Sequence, residues 1–257
     1  MTNRVLLMSV LVLAVAAGDV YAIDHTNLDE GRPLRLEDAY AIADGEIAIE
    51  FGGGFTLPRR GSNQGVLPAE ILYGAYPNLQ LSVGTTLATD PRDIDDRPKS
   101  GDLQVSALYN FSQETISLPA FALKVGVDTP TGVGARGYGV EVKGIITKSI
   151  ERLSLHLNAG YEFLIATSTG DREGRYQFAL GASYPIGAPQ FTRATLVGDV
   201  FAEQSTRRGE STFVGTEVGL RYQLTPRIVW DVGIGTEFAG PAHRSNLFMT
   251  TGFSFGF

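Results

Sequence analysis

Few residues in this chain are equipped for chemistry. None of the 257 residues is Cys, which removes disulfides, thiolate metal sites and cysteine nucleophiles. The histidines are His25, His156 and His243. The first two are isolated, so no shared metal is expected. His243-Arg-Ser245-Asn246 sets an imidazole two residues from a hydroxyl. A serine nucleophile needs such a base within hydrogen-bond reach and a third group to orient it. The acidic run Asp90-Pro-Arg-Asp93-Ile-Asp95-Asp96 could hold Ca²⁺, although a solvated loop is the simpler reading. Gly52-Gly-Gly54 and Gly132-Val-Gly134 lack the Lys and the strand-to-helix setting of a phosphate loop. No cofactor is expected, and a net charge of −7 without a basic stripe argues against nucleic acid.

The remaining charge is sorted by period 2. Leu153, Leu155, Leu157, Ala159, Tyr161, Phe163 and Ile165 share one face, while His156, Asn158 and Glu162 share the other. A helix would scatter these residues; a strand separates them. The same alternation marks 47–57, 69–76, 79–89, 103–111, 121–129, 138–150, 176–184, 191–203, 212–224, 228–238 and 247–257. With 153–165 that makes about 12 strands, most near the 9 to 11 residues that cross a bilayer when tilted. Connections alternate between tight turns and longer loops rich in Gly, Pro, Asp and Arg. Aromatics such as Tyr73, Tyr109, Phe163, Tyr184, Trp230 and Phe238 fall near segment ends, as at a membrane boundary. Open sheet edges in lipid would strand backbone polar groups, so the strands must close. The fold class expected is all-β: a closed antiparallel up-and-down transmembrane β-barrel. A secreted β-sandwich is the alternative.

The N-terminus has the form of an export signal: Arg4, an apolar run from Val5 to Ala17, then Val20 and Ala22 as small residues before a cut. The run is too short for a transmembrane helix, which needs about 20 apolar residues. The expected organisation is 1–22 signal peptide, 23–43 periplasmic segment or lumen plug, and 44–257 barrel in the outer membrane of a Gram-negative bacterium.

If the apolar stripe meets lipid, the other stripe lines the lumen. It carries Glu46, Glu50, Glu70, Lys124, Asp128, Glu141, Lys143, His156, Glu162, Arg193, Asp199, Glu203, Glu217, Arg221, Asp231 and Glu237. Acids exceed bases, so a cation-leaning channel is expected. Turn arithmetic sets Arg221 opposite Asp231 with Arg193 nearby, and gathers Lys124, Glu141, Lys143 and Glu162. Such charges serve either as a structural ladder or as permeation lining. Lumen glycines, among them Gly52, Gly181, Gly233 and Gly252, would clear space or allow strand coiling.

Phe253, Phe255 and Phe257 share a face, and the chain stops on the last. This resembles the C-terminal signal that the barrel-assembly machinery reads, which implies that machinery and outer-membrane lipid as partners. The stretch from Glu30 to Glu50, with Arg32-Pro-Leu34, Glu37-Asp-Ala39 and Gly45-Glu46 followed by Glu50, resembles the opening of outer-membrane transporters named for the MetA pathway of phenol degradation. Val125-Gly-Val-Asp-Thr-Pro-Thr-Gly132 is similar to a segment of the same group. That resemblance implies a channel or transporter for small, often aromatic or hydrophobic, solutes and no catalytic residues. His243-Arg-Ser245-Asn246 also resembles the core motif of outer-membrane phospholipase A, but Leu247 stands where that motif has Gly. A lipid hydrolase, or a structural surface barrel, is therefore the alternative function.

Overall fold

The computed structural model describes residues 23–89, 99–132, 137–166 and 169–257. The expected signal peptide and the whole acidic run 90–96 lie outside them. Twelve long strands and one two-residue strand form a single antiparallel sheet: β1 (Ile47–Pro58), β2 (Gln64–Tyr76), β3 (Leu79–Thr89), the short β4 (Lys99–Ser100), β5 (Leu103–Ser112), β6 (Ala120–Thr129), β7 (Tyr138–Ile150), β8 (Leu153–Ile165), β9 (Gly174–Ile186), β10 (Ala194–Glu203), β11 (Phe213–Thr225), β12 (Ile228–Ala239) and β13 (Ser245–Gly256). Each long strand pairs with its chain neighbours, and β13 pairs with β1 from Ala48↔Gly256 onward, so the sheet closes. Closure leaves no strand edge in lipid.

The packing is inside out. On β8, Leu155, Leu157, Tyr161, Phe163 and Ile165 are exposed, whereas His156, Asn158 and Glu162 are buried. β6 and β7 repeat this, with Leu123, Val125, Val127 and Val142 outside and Lys124, Glu141 and Lys143 inside. Such a surface suits hydrocarbon, where a midplane Lys or Arg would cost about 2–4 kcal/mol. Tight turns follow β2, β7 and β11. Asn78 and Glu151 there hold φ of 68° and 57°, a left-handed geometry that Asn adopts more readily than most residues. The connections 113–119 and 187–193 share that end, and the remaining loops fall at the other.

Among the strand starts that differ from the sequence pattern are those of β2, β10 and β13. β2 begins at Gln64 and carries Pro68 within it. The register of β1 with β2 skips from Phe51↔Ala69 to Gly54↔Val66, so Pro68 sits where no ladder bond is required of it. The strand expected from Phe191 instead starts at Ala194. Pro189–Phe191 form a 3₁₀ turn, because proline fixes φ and donates no N–H to a ladder. Ser245, read as loop, opens β13, while His243 remains in the loop before it.

Candidate functional site in the barrel lumen

Residues 23–46 run among the inward side chains. Leu28, Leu34 and Leu36 pack with Ala179, Val197 and Phe201. Ile23 and Ile42 pack with Ala48, Leu72 and Val229. The segment has no ladder of its own, so its backbone groups must find partners elsewhere. Wall amides and hydroxyls supply them. Glu37 N–H donates to Asn158 Oδ1 (2.7 Å), and Asn158 Nδ2 donates back to the Glu37 carbonyl (2.8 Å). Ala39 N–H donates to Thr147 Oγ1 (3.0 Å), Ile42 N–H to Gln80 Oε1 (3.1 Å), and Asn110 Nδ2 to the Ala39 carbonyl. At the short-turn end, Gln223 binds His25 N–H (2.9 Å) and the Ile23 carbonyl (2.8 Å). Glycines clear space for the segment: a Cβ on Gly252 would strike the Arg32 guanidinium, and one on Gly233 the Pro33 carbonyl.

Charges on the segment complete pairs that the wall leaves open. The register sets Lys124 opposite Lys143, an unfavourable like-charge neighbour. Glu37 reaches both, at 2.9 Å and 3.0 Å, and Glu30 lies 3.2 Å from Lys124 and also contacts Lys143. Burial pushes the Glu30 carboxyl up, but Lys143 and Lys124 outweigh it and hold Glu30 at about 2. Arg32 joins Glu50 (2.6 Å) to Asp231 (3.4 Å). Arg35 meets Glu203 (2.7 Å), Glu217 (3.1 Å) and Glu237 (3.7 Å), its guanidinium 4.0 Å from the Phe201 ring centroid. Asp38 accepts from Leu28 N–H and Tyr40 N–H, yet burial lifts it to about 7.

Most residues expected in the lumen are there. Glu50, Lys124, Glu141, Lys143, Glu162, Asp199, Glu217, Arg221, Asp231 and Glu237 are buried on the inner face. Glu70 and Asp128 are half-buried and line one cavity of about 390 Å³ with Glu50 and Lys124. Arg221 does lie opposite Asp231, but its ion pair runs to Asp29 of the segment, at 3.7 Å. Arg193 is a correction. It precedes β10 and is exposed at the short-turn mouth, because Pro189 delays the strand; Thr195 takes the place beside Arg221. Asp199 faces Glu217 across the strands, and neither of its oxygens has a hydrogen-bond partner. At the seam, Phe255 stacks on Phe51 with centroids 5.5 Å apart, and Phe257 exchanges backbone bonds with Ile47.

Four contributors escape a count of strand charges. Arg32 and Arg35 belong to the segment, and Arg175 lies one residue before the expected start of its strand, where it bridges Glu162 and Glu203. The amide wall of Gln80, Asn110, Asn158 and Gln223 carries no charge at all. Its signal was inward parity: large polar amides where a small residue would do. No hydrogen bond joins Ser245 to His243 among the described residues; the Ser245 N–H donates to Glu237, and the imidazole packs edge-on to Phe213 at 5.6 Å.

The charged lumen lies inside a chain whose residues 31–257 match the family model described as "Putative MetA-pathway of phenol degradation". The chain belongs to this family. Among solved structures, it is similar to the COG4313 outer membrane channel from Pseudomonas putida F1, at 15% identity over 90% of this chain and 100% of that one, with a TM-score of 0.64. It is also similar to the NanC porin (14%, 80% and 98%, TM-score 0.58) and the KdgM porin (14%, 82% and 99%, TM-score 0.55). No curated protein sequence matches the chain. At these identities the likeness shows the fold alone, a closed outer-membrane-type barrel.

Proposed function

We propose that this family member is an outer-membrane channel that admits small solutes by passive diffusion past segment 23–46. The observation that carries the reading is a divided lumen. A cavity of about 580 Å³ opens at the short-turn end. Cavities of about 520, 390 and 260 Å³ open on the long-loop side. The segment stands between the two sets, so the passage is narrow and polar. Its wall acids are largely engaged by Arg32, Arg35 and Arg175, which weakens the cation preference that the strand charges alone suggest. The short-turn end is read as periplasmic and the long-loop end as extracellular, the usual arrangement of such barrels. Small aromatic or hydrophobic solutes are the class that the family's description suggests. In this reading residues 1–22 direct export, and the assembly machinery inserts the barrel by its Phe253, Phe255 and Phe257 end.

Proteoliposomes bearing the mature chain are expected to swell in small solutes, phenol-sized ones included, and to exclude disaccharides. Planar bilayers should show a small, steady conductance. A barrel that folds yet passes neither ions nor small solutes would sink the channel reading.

A further inference from the structure

At the long-loop mouth, one cavity of about 520 Å³ has an unusual balance of free and committed charge. Its volume falls within the range of about 300–1,000 Å³ common to small-molecule sites. Three acids line it, and all are occupied. Glu203 is held by Arg35 and Arg175. Glu210 accepts from Ser205 Oγ at 2.6 Å and lies 3.9 Å from His243 Nδ1. Glu237 accepts from the Ser245 N–H and faces Arg35. Three arginines line it as well: Arg175 is committed to Glu162 and Glu203, whereas among the described residues neither the Arg60 nor the Arg207 guanidinium has a hydrogen bond or ion pair. The same cavity is walled by the Phe213–His243 ring pair, which meet edge-on at 72°.

We propose that this mouth cavity binds a small organic carboxylate, its anionic end taken by Arg60 and Arg207 and its apolar body laid against Phe213 and His243. A guanidinium presents a planar fork of donors that fits a carboxylate, and uncommitted forks need not give up an existing partner to bind one. Within this cavity the acids are committed, so the uncommitted charge that a solute meets there is positive. Onward passage of a captured carboxylate rests on the channel reading, whereas the capture itself is separable from it.

The test uses the full mature chain in detergent micelles, with calorimetric titration of benzoate, benzamide and benzylamine. Benzoate is expected to bind at least tenfold more tightly than benzamide, with affinity falling as salt is raised. R60Q/R207Q should weaken benzoate at least tenfold and leave benzamide unchanged. The variant is checked for folding by its heat-modifiable gel mobility, and both positions are exposed. Equal binding of benzoate and benzamide, preference for benzylamine, or undiminished benzoate affinity in the folded double variant would overturn the proposal. Loss of benzoate binding with swelling intact would leave the channel standing; binding without any permeation would defeat the channel reading alone.

Discussion

At the scale of single residues, the lumen works by exchanging one polar partner for another. Asn158 completes a two-way amide pair with Glu37, the arrangement a neighbouring strand would otherwise provide. Asn158→Leu keeps the branched outline of the side chain and loses both bonds, leaving a buried N–H and carbonyl orphaned at about 1–3 kcal/mol each. Its expected outcome is faster amide exchange over 36–39 with the barrel strands still protected. Arg32 is more severe. Removing it leaves Glu50 and Asp231 buried without their cation, a loss of about 3–5 kcal/mol for a broken buried pair. Arg32→Ala should lower the thermal midpoint and expose the segment to protease. Asp199 points the other way. Its oxygens are unpartnered and Glu217 faces it across the strands, so Asp199→Asn should raise the midpoint. A fall in the midpoint would show that Arg35 draws real benefit from that carboxylate.

At the scale of elements, segment 23–46 and the wall are halves of one structure. The wall sets Lys124 beside Lys143 and Asp199 beside Glu217, pairings that repel unless Glu30, Glu37 and Arg35 are present. The acid side of the pH profile follows from Glu30. Its carboxyl is held at about 2 when docked, against 4.5 for the ordinary side chain. A depressed carboxyl contributes its docking stability in full above 4.5 and loses it as pH falls toward 2. Conductance should therefore rise across that window, and Glu30→Gln should flatten the rise. Deleting 24–44 is expected to enlarge single-channel conductance several-fold. An unchanged conductance would mean that the ion path avoids the space the segment fills.

At the scale of the whole molecule, sidedness governs everything else. The exposed surface is a continuous apolar coat, and the interior holds more buried polar residues than buried hydrophobic ones. The protein is expected to need detergent for extraction and to migrate as a compact band on gels before boiling. The strands were legible because alternation is a local property, repeated over 10 to 13 residues and enforced on one side by lipid. β3, β7 and β8 match the sequence pattern residue for residue, whereas β10 does not, since Pro189 and Arg193 carry no apolar periodicity from which to read a start.

The sequence by itself determined the number of long strands, the face each presents to lipid and, Arg193 apart, which of the strand charges read from it turn inward. These depend on parity along the chain and on the cost of charge in hydrocarbon. Only the tertiary structure decided who pairs with whom. The partners of Lys124, Lys143, Arg221 and Asp231 lie on a segment with no period of its own. Its path is set by glycines, amides and counter-charges that twelve separate strands bring together only once the barrel has closed.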